Sequence, residues 1–454
     1  MAGWASPYDL LAMEFTQRRD EGCVIPTALV QRFAELHAQS DAWNAERIDP
    51  IYDALMAVEP DAELAAKEPN ELAAIRALRP EGPRDLGWQP TDDELLDRLH
   101  GAWTGRCVGC ALGKPFEGSK RNFIKRRLQS LGDWPLRDYV SGRDVGDGFQ
   151  HWHREAEREN IAYMPADDDI HYSLVALAVL EAAGPEFTWE NVFQVWRDRI
   201  PFGQICTAER QAFLNALNFS SAWGRLATTP AYTRRYRNPY REWIGAQIRA
   251  DGWAWACAGK PELAAEFAYR DASWTHERNG IYGEMFMAAM QAAAFVEHDP
   301  ARLIEIGLSE IPRACRLAQA VHRCLEFVNT SPDWEACMEK VEALLPEMNW
   351  VHTINNALIC VMSLCYGHLD TTETPAIAVM AGLDTDCNGA TVGSIAGAAA
   401  GQRAFGMNLA GRLHDTIKPN IVGFTEITMR ELAERTMTQW KAVEGYAAGR
   451  TSQQ

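Results

Sequence analysis

An all-α architecture is what this sequence predicts, on three observations. Apolar residues recur at helical spacing in segment after segment, and alternating strand patterns bounded by Asn-Gly or Asp-Gly turns are hard to find. Eight glycines fall into two ladders of four-residue spacing, Gly101, Gly105, Gly109, Gly113 and Gly389, Gly393, Gly397, Gly401. Residues four apart share one helix face, and each interior helical glycine costs roughly 0.5–1 kcal/mol relative to alanine. A chain that accepts this eight times requires close backbone approach along both helices.

Taken in order, the first 90 or so residues carry short helical patterns such as TALVQRFAELHAQ and ELAAIRAL, broken by Pro50, Pro60, Pro69, Pro80 and Pro83. They read as an N-terminal helical extension, residues 1–90. TDDELLDRLHGAWTGR then opens a helix with Thr91 as N-cap and acids in its first turn. Further helices follow over residues 173–184, 190–200, 210–219, 261–272, 283–298, 312–328, 334–345, 355–367, 376–382 and 427–446, making one large body over 91–450. No fixed-period repeat appears beyond the ladders, so a solenoid is not expected.

The 454 residues are enough for a large core, and 62 acidic against 44 basic residues give a net charge of −18. That balance argues against duplex nucleic acid or an anionic membrane as the main partner. A nucleotide ligand stays compatible, because a metal ion can neutralise its phosphates. The opening MAGWASPYDLLAMEFTQRRDEG lacks the basic and apolar regions of a signal peptide, and the apolar stretch from Asn388 to Gly401 is too short to span a bilayer. Eleven scattered cysteines read as reduced thiols, so a cytoplasmic location is expected. Cys107 and Cys110 form a CxxC, but it lies inside a ladder without a second pair, which favours helix packing over zinc or redox chemistry.

Acids cluster beside both ladders. Glu117 follows the first; Asp384 and Asp386 precede the second; Asp167, Asp168 and Asp169 open another helix near Ile170. Capping needs one carboxylate per turn, whereas three adjacent ones repel unless protonated or bound to a cation. A metal site is therefore favoured. Carboxylates without clustered His or Cys select a hard cation, Mg²⁺ before Mn²⁺ or Ca²⁺, and six acids suit two ions sharing ligands better than one.

The same residues carry a resemblance to the ADP-ribosylglycohydrolases. GAWTGRCVGCALGKPFE resembles the family's opening helix and the acid after it; ADDDIHYSLVALAVLE resembles its paired-aspartate turn TDDT; AGLDTDCNGATVGSIAGAAAG resembles its DTD segment. Weaker likenesses are IGAQIRADGWAW to the GNGAAMR stretch and DASWTHERNG to a Thr-His turn. The resemblance implies an all-α orthogonal helical bundle with a dinuclear Mg²⁺ centre that binds ADP-ribose. It implies Asp167, Asp168, Asp169, Asp384 and Asp386 as metal ligands, and Glu117 with His276, Asn279 and Gly280 near the substrate. The chain departs from the pattern at Asp167, Ile170, Cys387 and Arg106, and lacks the Asn-Gly before Ala246. Ile170 and Cys387 remove hydroxyl ligands, which weakens the expected second metal.

The implied activity is hydrolysis of the glycosidic bond between ADP-ribose and a protein side chain or a small-molecule N-glycoside, through a metal-activated water. One of Asp168, Asp169 or Asp386 is the expected base, with Glu117 gating or assisting as acid/base. Trp274, Tyr282, Trp350 and Tyr366 are candidates to stack on a ligand ring, although aromatics at helical spacing more often serve a core. Two rivals remain: an ADP-ribose-binding regulatory protein without turnover, and a terpene cyclase binding a diphosphate through Mg²⁺. The second requires a downstream Asn/Ser/Glu triad that the sequence does not supply.

Overall fold

A computed structural model describes residues 5–39, 43–219 and 227–451. Among them the chain forms twenty-one α-helices and one antiparallel pair of two-residue strands, Thr416–Ile417 with Ile427–Thr428. The all-α class is as the sequence predicts.

Two helices form the centre. Asp92–Gly113 and Thr385–Ala400 run antiparallel, and every residue from Gly101 to Gly113 and from Thr385 to Ala399 is buried. The two ladders face each other. A Cβ placed on Gly101, Gly105 or Gly109 would lie under 3.0 Å from the carbonyl oxygen of Gly397, Gly393 or Gly389, and the converse holds for each partner. Backbone therefore touches backbone, and alanine would already be too large. At one end Gly113 abuts Thr385 and the Asp386 nitrogen, so the C-terminus of one helix meets the N-terminus of the other.

Large aromatics surround this seam. Trp103 and Trp255 lie with ring centroids 4.4 Å apart, and each indole N–H finds a hydroxyl, Thr436 for Trp103 and Ser394 for Trp255, both at 3.1 Å. These satisfied donors let bulky rings enter a dry core. The helices Asp168–Ala183, Ala250–Ala256, Asn279–Ala293, Thr353–Gly367 and Met429–Thr451 share the same hydrophobic core.

The extension builds helices Pro7–Asp20, Thr27–His37 and Ala45–Met56 around a smaller apolar cluster that closes on Ala208, Tyr240 and Trp243 of the body. Charges lock the junction. Arg241 pairs with Glu14 at 2.9 Å and Glu21 at 2.7 Å, all three side chains fully buried. Arg316 bridges Glu68 and Glu242, each at 2.7 Å. One sequence expectation fails here: Pro50 does not break a helix but lies inside Ala45–Met56. Ile48, Ile51, Tyr52 and Leu55 of that helix are buried, and their packing outweighs the missing N–H. The sequence also missed Arg121–Leu131, whose many basic residues hide its apolar stripe.

Two substitutions separate packing from propensity. Gly105→Val is expected to lower unfolding stability by at least about 3 kcal/mol, because a bulky side chain must force the paired backbones apart. Gly445→Ala, where nothing lies within 4 Å of a new Cβ, is expected to raise it by about 0.5–1 kcal/mol. Urea unfolding monitored by circular dichroism measures both.

Candidate metal centre

The ladder seam delivers its acids to one place. Beyond Gly113 the chain turns through a short 3₁₀ segment, Lys114–Phe116, whose C-cap is Glu117. Gly118 N–H then donates to the Leu383 carbonyl at 2.9 Å and Leu383 N–H to the Ser119 carbonyl at 3.0 Å. This two-way pairing fixes Glu117 beside Asp384. Asp384 caps the second ladder helix and Asp386 lies in its first turn. Asn356 steadies the turn, accepting from Asp384 N–H at 3.3 Å and from the Asn388 amide at 2.8 Å.

Asp167 caps the Asp168–Ala183 helix, accepting from Asp169 N–H at 2.9 Å. Its other oxygen meets the Lys114 ammonium. Asp169 is fully buried; Arg106 donates to its Oδ1 at 3.0 Å and the Cys387 thiol to its Oδ2 at 3.1 Å. Arg106 also binds Asp251 at 2.7 Å and the Asp169 and Ile248 carbonyls, both at 2.6 Å. Asp168 makes no side-chain hydrogen bond to a described residue.

Ligand atoms of Glu117, Asp384 and Asp386 lie within 4.8 Å of one another, as do those of Asp169, Asp386 and Cys387, and of Cys110, Asp167 and Asp169. Electrostatics mark the crowding. Burial first, then Asp167 and Asp386, pushes Asp168 up to about 7. Burial and then Asp167 push Asp386 up to about 6. Asp384 is raised by burial and by Asp386. Glu117, 41 % exposed at the rim, is raised chiefly by the charge of Asp386. Burial would raise Asp167 too, but Lys114 beside it wins and holds it below the usual carboxylate range. Asp386 Oδ1 is buried with no hydrogen-bond partner among the described residues. A hard cation fits this donor set: it would fill that oxygen's vacant lone pairs and relieve the repulsion.

The other expected residues lie deeper. His276 is fully buried, its Nδ1 2.8 Å from the Thr275 hydroxyl and its Nε2 3.8 Å from Glu209. Asn279 donates its amide to Glu242 at 2.8 Å, and Gly280 sits against the Arg241 carbonyl and the His276 ring. These three join the junction with the extension. Trp274 packs among Trp189, Phe193 and Trp196, and Tyr282 donates to the Pro69 carbonyl, so both serve the core. Tyr366 is tied to the Val328 carbonyl at 3.2 Å. Trp350, 39 % exposed, sits over Gly118 beside Glu117. Cys107 and Cys110 are buried free thiols.

Sequence reasoning missed Lys114, Asp251, Glu209 and Asn356. Lys114 carried a signal, standing between the last ladder glycine and Glu117; the other three come from distant segments without a motif.

Fold and site together define an all-α protein with a buried carboxylate centre suited to a divalent cation. Residues 91–444 match the sequence profile of the ADP-ribosylglycohydrolases, and the chain belongs to that family. It is a glycosidic-bond hydrolase. Among solved structures it is similar to an ADP-ribosylglycohydrolase-related protein complex, at 18 % identity and a TM-score of 0.51, over 77 % of this chain and 99 % of that one. Comparison with curated proteins gives no match. Among the described residues no helix is long and apolar enough to cross a membrane.

Burial pushes the carboxyls of Asp169 and Asp251 up, and Arg106 opposes it. Arg106→Leu is expected to cost about 3–5 kcal/mol at neutral pH, since two buried acids lose their cation. With folded carboxyl pKa values raised above the unfolded ones, the folded state binds more protons, so the loss grows as pH rises and shrinks on acidification. Denaturant unfolding of chelator-treated protein at pH 5 and pH 8 measures the difference.

Proposed function

We propose that residues 91–450 form the catalytic unit, extended by residues 1–90, and that it hydrolyses the bond between ADP-ribose and its acceptor, a protein side chain or a small-molecule N-glycoside. The observation that carries this reading is the buried, unpartnered Asp386 Oδ1 within a carboxylate cluster of a glycohydrolase chain. Asp384, Asp386 and Glu117 would hold one Mg²⁺, and Asp168 with Asp167 and Asp169 would complete the site for a second, with Mn²⁺ as a substitute. Such ions, when bound, orient ribose hydroxyls and acidify a water.

The chain's own groups divide the remaining work. Asp168, the aspartate of its turn whose oxygens no donor among the described residues occupies, is suited to accept the water's proton. Asp169 is less suited, because Arg106 and Cys387 occupy both its oxygens. Glu117 stands at the rim, where it can gate access to the centre. Its neighbour His153, 3.7 Å away, belongs to the same rim. The eleven unpaired cysteines support a reducing, cytoplasmic setting.

Calorimetric titration of ADP-ribose is expected to show binding with Mg²⁺ and none after chelation, with binding lost in Asp386→Ala. Asp168→Asn is expected to keep ADP-ribose binding while hydrolysis of ADP-ribosyl conjugates falls about 10²–10⁴-fold. Full hydrolysis by both variants would sink the assignment.

A further inference from the structure

The six acids of the centre are not equivalent, because the chain supplies two cations of its own to one half of it. Asp167 has both oxygens occupied, one by Asp169 N–H at 2.9 Å and the other by Lys114. Asp169 likewise has both occupied, by Arg106 and by the Cys387 thiol. In the other half, a carboxylate oxygen of Asp386 lies within 4.8 Å of ligand atoms from Glu117 and Asp384, and Asp386 Oδ1 is buried with no hydrogen-bond partner among the described residues.

The two cations differ in their freedom to leave. Arg106 is fully buried and holds Asp169, Asp251 and two backbone carbonyls, so its planar donor fork is consumed. Lys114 has one hydrogen-bond partner among the described residues, Asp167, and its side chain retains 7 % exposure. It ends a flexible four-carbon stem at the point where the first ladder helix gives way to the Glu117 turn. An ammonium of this kind can swing out. A divalent cation at Asp167 must take the place it now fills.

We propose, building on the metal site in the function above, that Lys114 is a resident competitor for the second cation position. The centre then binds one divalent ion tightly at Asp384, Asp386 and Glu117. A second enters beside Asp167 and Asp168 only in exchange for the Lys114 ammonium, so full loading is graded by free metal concentration. Arg106 stays throughout and fixes the position of Asp169 beside that second ion.

Mn²⁺ titration of chelator-stripped full-length protein, followed by calorimetry and electron paramagnetic resonance, tests this. The expected wild-type result is one tight ion with an uncoupled Mn²⁺ spectrum, and a second ion at least roughly tenfold weaker. Lys114→Met, which keeps the stem and removes the charge, is expected to tighten the second ion by roughly tenfold or more and to bring in a spin-coupled pair at low Mn²⁺. Lys114→Arg keeps the charge and is expected to retain sequential loading, which guards against a Lys114→Met protein that folds poorly. Two equally tight ions in wild type, or a second-ion affinity unmoved in a folded Lys114→Met, would overturn the proposal and leave the hydrolase reading standing. No Mn²⁺ binding at all would overturn both. Sequential loading without ADP-ribose binding would support the competitor while removing the substrate assignment.

Discussion

Because the Asp92–Gly113 and Thr385–Ala400 helices meet carbonyl against α-carbon, their separation and register leave almost no freedom. Side chains at an ordinary helix interface can repack to absorb a shift; two backbones cannot. The seam runs antiparallel, so it closes at Gly113 against Thr385, and the Thr385 hydroxyl fastens that end by donating to the Gly113 carbonyl at 2.8 Å. Half of the centre's acids sit within a few residues of this clasp. Lys114 and Glu117 leave one helix there, and Asp384 and Asp386 enter the other. The glycines thus sacrifice helix propensity to bring together acids separated by more than half the chain.

Rigid placement has an electrostatic cost. Carboxylates held together in a dry setting repel, and each loses hydration that it would keep at the surface. The fold meets some of that cost internally through Arg106 and Lys114 and leaves the rest uncompensated among the described residues. The division is geometric: oxygens of Asp167 and Asp169 are matched by donors, whereas Asp168 and one oxygen of Asp386 are not. Preorganised but unsatisfied acceptors of this kind are what a tightly bound cation requires, since the protein need not rearrange to receive it.

What could be read from the sequence was what carried its own local signature. Ladder spacing, Asp-rich turns and long apolar periodicities are visible within windows of ten to twenty residues, and they led to the all-α class and to the acids gathered at the clasp. That the ladders face each other is a tertiary fact, although two ladders of four glycines suggest partners. Glu209 and Asn356 could not be found this way, because each acts through one contact across the fold. Pro50 misled for a related reason: local propensity argued for a break, and burial of Ile51, Tyr52 and Leu55 overrode it. The family resemblance implies Asn279 and His276 near the substrate, and in the fold they are buried against Glu242 and Glu209.

That burial bears on the extension. Glu242 is the hinge of the arrangement: it accepts from Gln17 at 2.7 Å on the extension side, from Asn279 at 2.8 Å within the body, and pairs with Arg316 at 2.7 Å. Burial would raise its carboxyl, but Arg316 and the groups around it hold it far below the usual range, so it stays charged and needs every partner. Its neighbour Arg241 is equally dependent on Glu14 and Glu21. An unpaired charge at either position would be severely destabilising, so the first helix completes the body's electrostatics instead of lying on its surface. The start of the Asn279–Ala293 helix is therefore held from behind by the extension, while His276 beside it faces Glu209.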